Sequence, residues 1–193
     1  VVLLLDHGAA VNTDYAGMTP MALAASRADP SMVQLLLQRG GRVDADSAEQ
    51  APLALAIRAA LRLPDPEPAF ACIDALLARR APVDVRDAAG RTLLLHLCSS
   101  GANAPVAPEG PVLLALLGRL LAAGADVNAV DGYERNAAHW ACRHHQPEVL
   151  ALLLRHGVDT LKPDDMRRLP IDLVTARRRH EFLEILDRAG AAS

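Results

Sequence analysis

One phrase recurs along the chain and limits what it can fold into more than any other feature. It is an apolar run, two or three further residues, usually a Gly, and then Val with Asn or Asp. It reads LLLDHGAAVN from Leu3, LLLQRGGRVD from Leu35, LLARRAPVD from Leu76, LLAAGADVN from Leu120 and LLLRHGVD from Leu152, and the chain closes with ILDRAGA from Ile185. Val11, Val43, Val83 and Val127 stand in equivalent places, 32, 40 and 44 residues apart, and Gly157 and Gly190 close two further units 33 apart. A unit this small cannot bury its own apolar face, so neighbours must stack to make a core.

A second phrase lies between the copies of the first. GMTPMALAA at Gly17, APLALA at Ala51, GRTLLLHLC at Gly90, RNAAHWAC at Arg135 and LPIDLV at Leu169 share one phase. A Thr hydroxyl can cap the free N–H groups of a helix start, and a following Pro suits the first turn, where its missing N–H costs nothing. Thr19-Pro20 has both features. Thr92 and Asn136 offer a cap without the Pro, whereas Ala51-Pro52 and Leu169-Pro170 keep the Pro and lose the cap.

This alternation resembles the ankyrin repeat, whose signature is a β-turn, a Thr-Pro-Leu-His-type helix start and a Leu-Leu…Gly-Ala…Val-Asn close. The resemblance covers essentially the whole chain. It implies an all-α solenoid of stacked helix–turn–helix units with short β-turn fingers, forming a single array. A truncated repeat at 1–13 precedes units at 14–45, 46–86, 87–130 and 131–163, with a C-terminal cap at 164–193. Departures are Leu93 and Ala137 where Pro is usual, and the Gly-less close Arg80-Ala81-Pro82. In the cap, Phe182, Leu183, Ile185 and Leu186 are expected to face the preceding repeat and the arginines and acids to coat the outside, as a genuine C-terminus requires.

The units at 46–86 and 87–130 carry extra residues between their two helices. Residues 63–68 (LPDPEP) are expected to be non-helical because of their three prolines, and about 99–111 forms a second insertion rich in Ser, Gly, Ala and Pro. Both are expected to project from the edge opposite the fingers, either as tolerated surface loops or as a second contact surface.

Composition agrees with helices packed through small side chains. Hydrophobic residues make up 51% of the 193 but aromatic ones only 3%, so the core must be Leu, Ala and Val. The net charge of −3 gives no basic field for nucleic acid. No apolar run exceeds the six residues of Val112 to Leu117, far too short for a bilayer. Three scattered cysteines, Cys72, Cys98 and Cys142, suggest no disulfide framework and fit a reducing, cytoplasmic setting. Lys162 is the only lysine, a skew that fits a high-GC bacterium. Val1 is not an initiator Met, so targeting information is expected upstream.

An open array of this kind suits a macromolecular partner and is poor at excluding water from a small substrate. The resemblance therefore implies a protein-binding scaffold or adaptor, monomeric alone, that is not an enzyme and needs no cofactor. The alternative is the regulatory or targeting region of a longer enzyme, immunity protein or secreted bacterial effector. Partners of such repeats meet the β-turn tips and the exposed side of each first helix. Carried over by phase, the candidates are Tyr15, Met18, Arg27, Gln50, Arg58, Arg91, Tyr133, Arg135, Arg143, His144, Arg168 and Arg177. Seven are arginines, which pair two-pronged with carboxylates, so an acidic protein segment is the expected ligand.

Other groupings carry less chemistry. His139 and Cys142 share a helix face, with His144 and His145 following, but His139 falls where the family has a structural His and Cys142 on a small buried position. Cys98, near His96, Ser99 and Ser100, occupies a buried Ala-type place where a thiol is inert. Trp140 is expected to pack between repeats.

Overall fold

The computed structural model describes residues 6–14, 18–44, 49–99 and 110–190. Backbone contacts divide the chain into two compact units, Val1–Val85 and Arg86–Ser193. Regular structure among the described residues is helical throughout, with no β-strand.

The first unit contains α1 (Pro20–Ser26), α2 (Pro30–Gln38), α3 (Pro52–Ala60) and α4 (Glu67–Ala78). Thr19 caps α1 as its sequence promises, its hydroxyl accepting from Ala22 N–H at 3.1 Å, and Pro20 opens the first turn. Asp29 caps α2 in the same way, accepting from Met32 N–H at 2.9 Å. Two helical turns are too few to hold themselves together in water, so α1 depends on packing. It packs on α3, and α3 on α4, through buried Ala22, Ala25, Ala56 and Ala59, whose small side chains allow close approach. Leu36, Leu53, Ile57, Ile73 and Leu76 fill the remaining space.

The second unit contains α5 (Leu93–Ser99), α6 (Gly110–Ala122), α7 (Ala137–Arg143), α8 (Pro147–Arg155), a 3-10 turn at Pro170–Leu173 and α9 (Arg179–Gly190). Helix α7 packs on α5 and α8 and against the 3-10 turn, while α9 lies on α8. In the last repeat, the first helix is reduced to that single turn, since Val174 is already extended at ψ 131° and nothing but Asp172 secures the start. On α9, Phe182 is fully buried and Ile185 and Leu186 are half-buried, but Leu183 points outward. Residues 182, 185, 186 and 189 share a helical face, and 183 lies about 100° away from 182.

The recurring phrase has one structural meaning. Helices α2, α4, α6 and α8 each end with the N–H two residues past the C-cap reaching back to the carbonyl five residues earlier: Gly41 to Leu36 (2.7 Å), Ala81 to Leu76 (3.1 Å), Ala125 to Leu120 (3.0 Å) and Val158 to Leu153 (3.2 Å). The residue between is left-handed: Gly40 (φ +81°), Gly124 (+89°) and Gly157 (+78°), and Arg80 (+58°) where the Gly is missing. The Asn after Val then staples the unit to the next. Asn12 donates to the Gly40 carbonyl (3.1 Å) and accepts from Arg42 N–H (2.8 Å), while Asn128 does the same with Gly157 (3.1 Å) and Asp159 (2.7 Å). An Asp cannot supply the donor half of this bridge, and Asp44 instead pairs with Arg42 at 3.0 Å.

Of the two insertions, the first runs as a loop from 61 to 66, and Glu67 and Pro68 already belong to α4. This corrects the expectation that 63–68 is non-helical, because a Pro in the first turn lacks only an N–H that has no helical partner. In the second, 100–109 lies outside the described residues, and Gly110 and Pro111 open α6.

Candidate functional site

The second unit builds the same finger three times, at Asp87–Arg91, Asp131–Arg135 and Asp164–Arg168. Each has an Asp, two turn residues, a left-handed residue and an Arg. The left-handed places are Gly90 (φ +73°), Glu134 (+56°) and Arg167 (+62°). One Asp oxygen accepts two backbone N–H groups in every copy: from Ala89 and Arg91 (both 2.9 Å), from Tyr133 (2.8 Å) and Arg135 (3.1 Å), and from Met166 (3.0 Å) and Arg168 (2.9 Å). Successive fingers are tied edge to edge, Gly132 N–H donating to the Ala89 carbonyl (3.3 Å) and Asp165 N–H to that of Tyr133 (3.2 Å). Arg86 also bridges the Gly90 and Val130 carbonyls, both at 2.6 Å.

The second Asp oxygen separates the copies. Asp87 Oδ2 takes Arg91 Nε and Nη2, both at 2.9 Å, and Asp164 Oδ2 takes Arg168 Nε (3.0 Å) and Nη2 (2.7 Å). Burial opposes ionisation of both acids, yet the hydrogen bonds from Arg91 and Arg168 outweigh it and hold each carboxyl below the usual carboxylate range. Two of the predicted groove arginines are thus tied into their own turns. In the middle finger Trp140 intervenes: its Nε1–H donates to Asp131 Oδ2 at 3.1 Å. The Arg135 guanidinium instead lies over the Tyr133 ring (4.5 Å) and the Trp140 ring (5.0 Å), and His144 stacks on the far part of the tier, 5.7 Å from Trp140 at 15°. Trp140 is half-buried, and its indole hydrogen bond and ring contacts are all with residues of its own repeat.

Large apolar side chains stand exposed around this tier, with Tyr133 at 55%, Met166 at 67% and Leu161 at 78%. Arg143 and Arg177 are exposed, and Arg168 is half-exposed. His144 is half-buried, and desolvation, reinforced by Arg143 nearby, moves its pKa below the ordinary histidine value. In the first unit, Met18 and Arg27 are exposed, Gln50 is half-buried, and Arg58 donates to the Glu49 carbonyl. Tyr15 lies outside the described residues. Sequence reasoning passed over Leu161, Asp131 and the role of Trp140. The signal available was that Trp140 occupies a surface phase of a helix whose other inward positions are Ala and Cys.

His139 sits beneath the fingers as a structural bridge. It is fully buried, its Nε2 lies 3.2 Å from the Arg168 carbonyl, and its Nδ1 accepts from Asn136 N–H at 3.3 Å. Nδ1 also lies 2.8 Å from the Asn136 side-chain oxygen, so both ring nitrogens face an oxygen acceptor. Burial lowers its pKa against the pull of the Arg168 carbonyl. Asn136 completes the box, accepting from His139 N–H (3.3 Å) and donating to the Asp159 carbonyl (2.6 Å). All three thiols are buried, and burial pushes Cys72 up to about 11 and Cys98 and Cys142 up to about 12, far from a reactive thiolate. No group of three or more potential metal ligands occurs among the described residues, and no helix there is long and apolar enough to cross a membrane.

Residues 67–164 match the family model described as ankyrin repeats, three copies, and residues 16–48 match a single ankyrin repeat. The chain belongs to the ankyrin-repeat family. Among curated proteins, none matches it. Ankyrin repeats are in general protein–protein interaction modules, a non-catalytic fold.

Proposed function

We propose that this ankyrin-repeat chain binds a protein partner on its β-turn tips and the adjoining faces of its first helices. In the second unit that surface comprises Tyr133, Arg135, Arg143, His144, Arg168 and Arg177, with Arg91 contributing through its finger. In the first unit it comprises Met18, Arg27, Gln50 and Arg58, and Tyr15 completes the set. One observation carries the reading: Tyr133 and Met166 stand out from neighbouring fingers that are rigidly hydrogen-bonded to each other. Large side chains exposed on a fixed backbone lose little freedom on binding, and Tyr and Met are enriched at interface centres. The partner segment is acidic, to match the arginines around these anchors.

Affinity capture from source-cell extract tests the proposal. Wild-type protein is compared with a Tyr133→Ser, Met166→Ser variant and with a Glu148→Gln, Arg155→Gln variant on the exposed side of α8, each shown folded by circular dichroism. The finger variant is expected to lose partners that wild type and the α8 variant retain. Retention of the same partners by the finger variant overturns the assignment.

A further inference from the structure

We propose that Arg135 is a preformed receptor for one acidic side chain, a glutamate or aspartate of the partner segment. The inference rests on the protein-binding reading above and narrows it to a single charged contact. The three fingers supply their own comparison. In two of them the turn Asp satisfies the Arg at its end, Asp87 with Arg91 and Asp164 with Arg168. In the third, the Trp140 indole N–H occupies the Asp131 oxygen that would have done so.

Among the described residues Arg135 is consequently held without an acidic partner. Its guanidinium lies over two rings at 4.5 and 5.0 Å, its Nε is shut away from solvent without an acceptor, and among the described residues its guanidinium makes no hydrogen bond. Ring contacts fix the plane of the cation and strip part of its hydration, but they leave in-plane N–H donors unused. A planar cation with open donors matches a carboxylate, which accepts two parallel N–H bonds. Neighbouring charge favours the same sign of ligand. Arg143 is exposed on the same helix as Trp140, and of the two acids on the finger Asp131 is taken by backbone N–H groups and the Trp140 indole while Glu134 is engaged by Lys162 at 3.3 Å.

Trp140 is the only tryptophan of the chain, so its emission reports directly on the tier. The probe is an acetylated, amidated peptide of alternating glutamate and glycine, with a glutamine–glycine peptide as control, titrated at low salt into the whole chain. The glutamate peptide is expected to shift Trp140 emission and the Trp140 Nε1–H resonance, and the glutamine peptide to leave both unchanged. Arg135→Gln is expected to weaken binding about tenfold or more, and Arg155→Gln, on the exposed side of α8, to leave it within about twofold. Trp140→Phe keeps a ring but frees Asp131 to take Arg135, and peptide binding followed by amide resonances is expected to weaken about as much as in Arg135→Gln. Absence of any response to the glutamate peptide, an equal response to both peptides, or equal losses in Arg135→Gln and Arg155→Gln would overturn the proposal. If it fails while the Tyr133, Met166 variant still loses partners in the capture experiment, the binding surface stands without an acid-reading centre. If that variant keeps its partners, the surface itself is wrong whatever the peptides do.

Discussion

Replacing Asn136 with Ala removes contacts of the side-chain oxygen with His139 and of the side-chain amide with Asp159, which a second substitution can separate. The Asn136 side chain is wholly buried, its oxygen caps α7 through His139 N–H, and its amide donates to the Asp159 carbonyl at 2.6 Å. Loss of an N-cap costs about 1 kcal/mol. A carbonyl left without its donor adds about 1 kcal/mol, toward the lower end because Asp159 is at the surface where water recovers part of the bond. Asn136→Ala is therefore expected to destabilise by about 2 kcal/mol. Asn136→Thr restores a capping oxygen but not the amide, and should lose only about 1 kcal/mol. Urea titration followed by Trp140 emission reads the change directly, since Trp140 lies in the same helix. Equal losses for Ala and Thr, or a loss below about 1 kcal/mol for Ala, would refute the division between cap and bridge.

Arg80→Gly should stabilise by about 0.5–1 kcal/mol, because Arg80 holds a left-handed backbone where α2, α6 and α8 close on Gly; an unchanged or lower urea midpoint counts against this. The three thiols should react with an aromatic disulfide reagent at pH 8 at least about a hundredfold more slowly in the native than in the unfolded protein, and rapid stoichiometric labelling of any one would show the burial to be wrong. Folding favours the neutral form of His139, so its folded pKa lies below the unfolded value near 6.5. The stability it contributes is complete above about pH 6.5 and is lost as pH falls through the lowered value, so wild type should lose more of its urea midpoint between pH 7 and pH 5 than His139→Asn. Asp87 and Asp164 act in a lower window. Their depressed pKa values give stability that is full above the unfolded value of about 3.9 and lost as pH falls below it, a loss that double replacement by Asn should flatten in acid titration.

Periodicity made the fold legible because each repeated residue answers a local backbone need. Gly40, Gly124 and Gly157 mark left-handed helix closes, Thr19 marks a helix start, and Asn12 and Asn128 mark the staple between units. Local signals failed where a substitution was compatible with two geometries. Pro68 reads as a breaker from sequence, yet it sits in a first turn that has no need of its N–H. Leu183 reads as core from its neighbours, but helical phase turns it outward. The site was less legible than the fold. All seven groove arginines look alike in a sequence, and only tertiary contacts divide Arg91 and Arg168, tied into their turns, from Arg135, stacked between rings. That division depends on Trp140 reaching Asp131 across nine residues, and no short motif encodes it.

Hydrogen exchange of the chain with and without a captured partner is the most direct test of the binding surface. Protection is expected at the finger tips, residues 131–135 and 164–168, and across the exposed side of α7. Protection confined to α8 and the outer side of α9, with the fingers exchanging as in the free protein, would contradict the account.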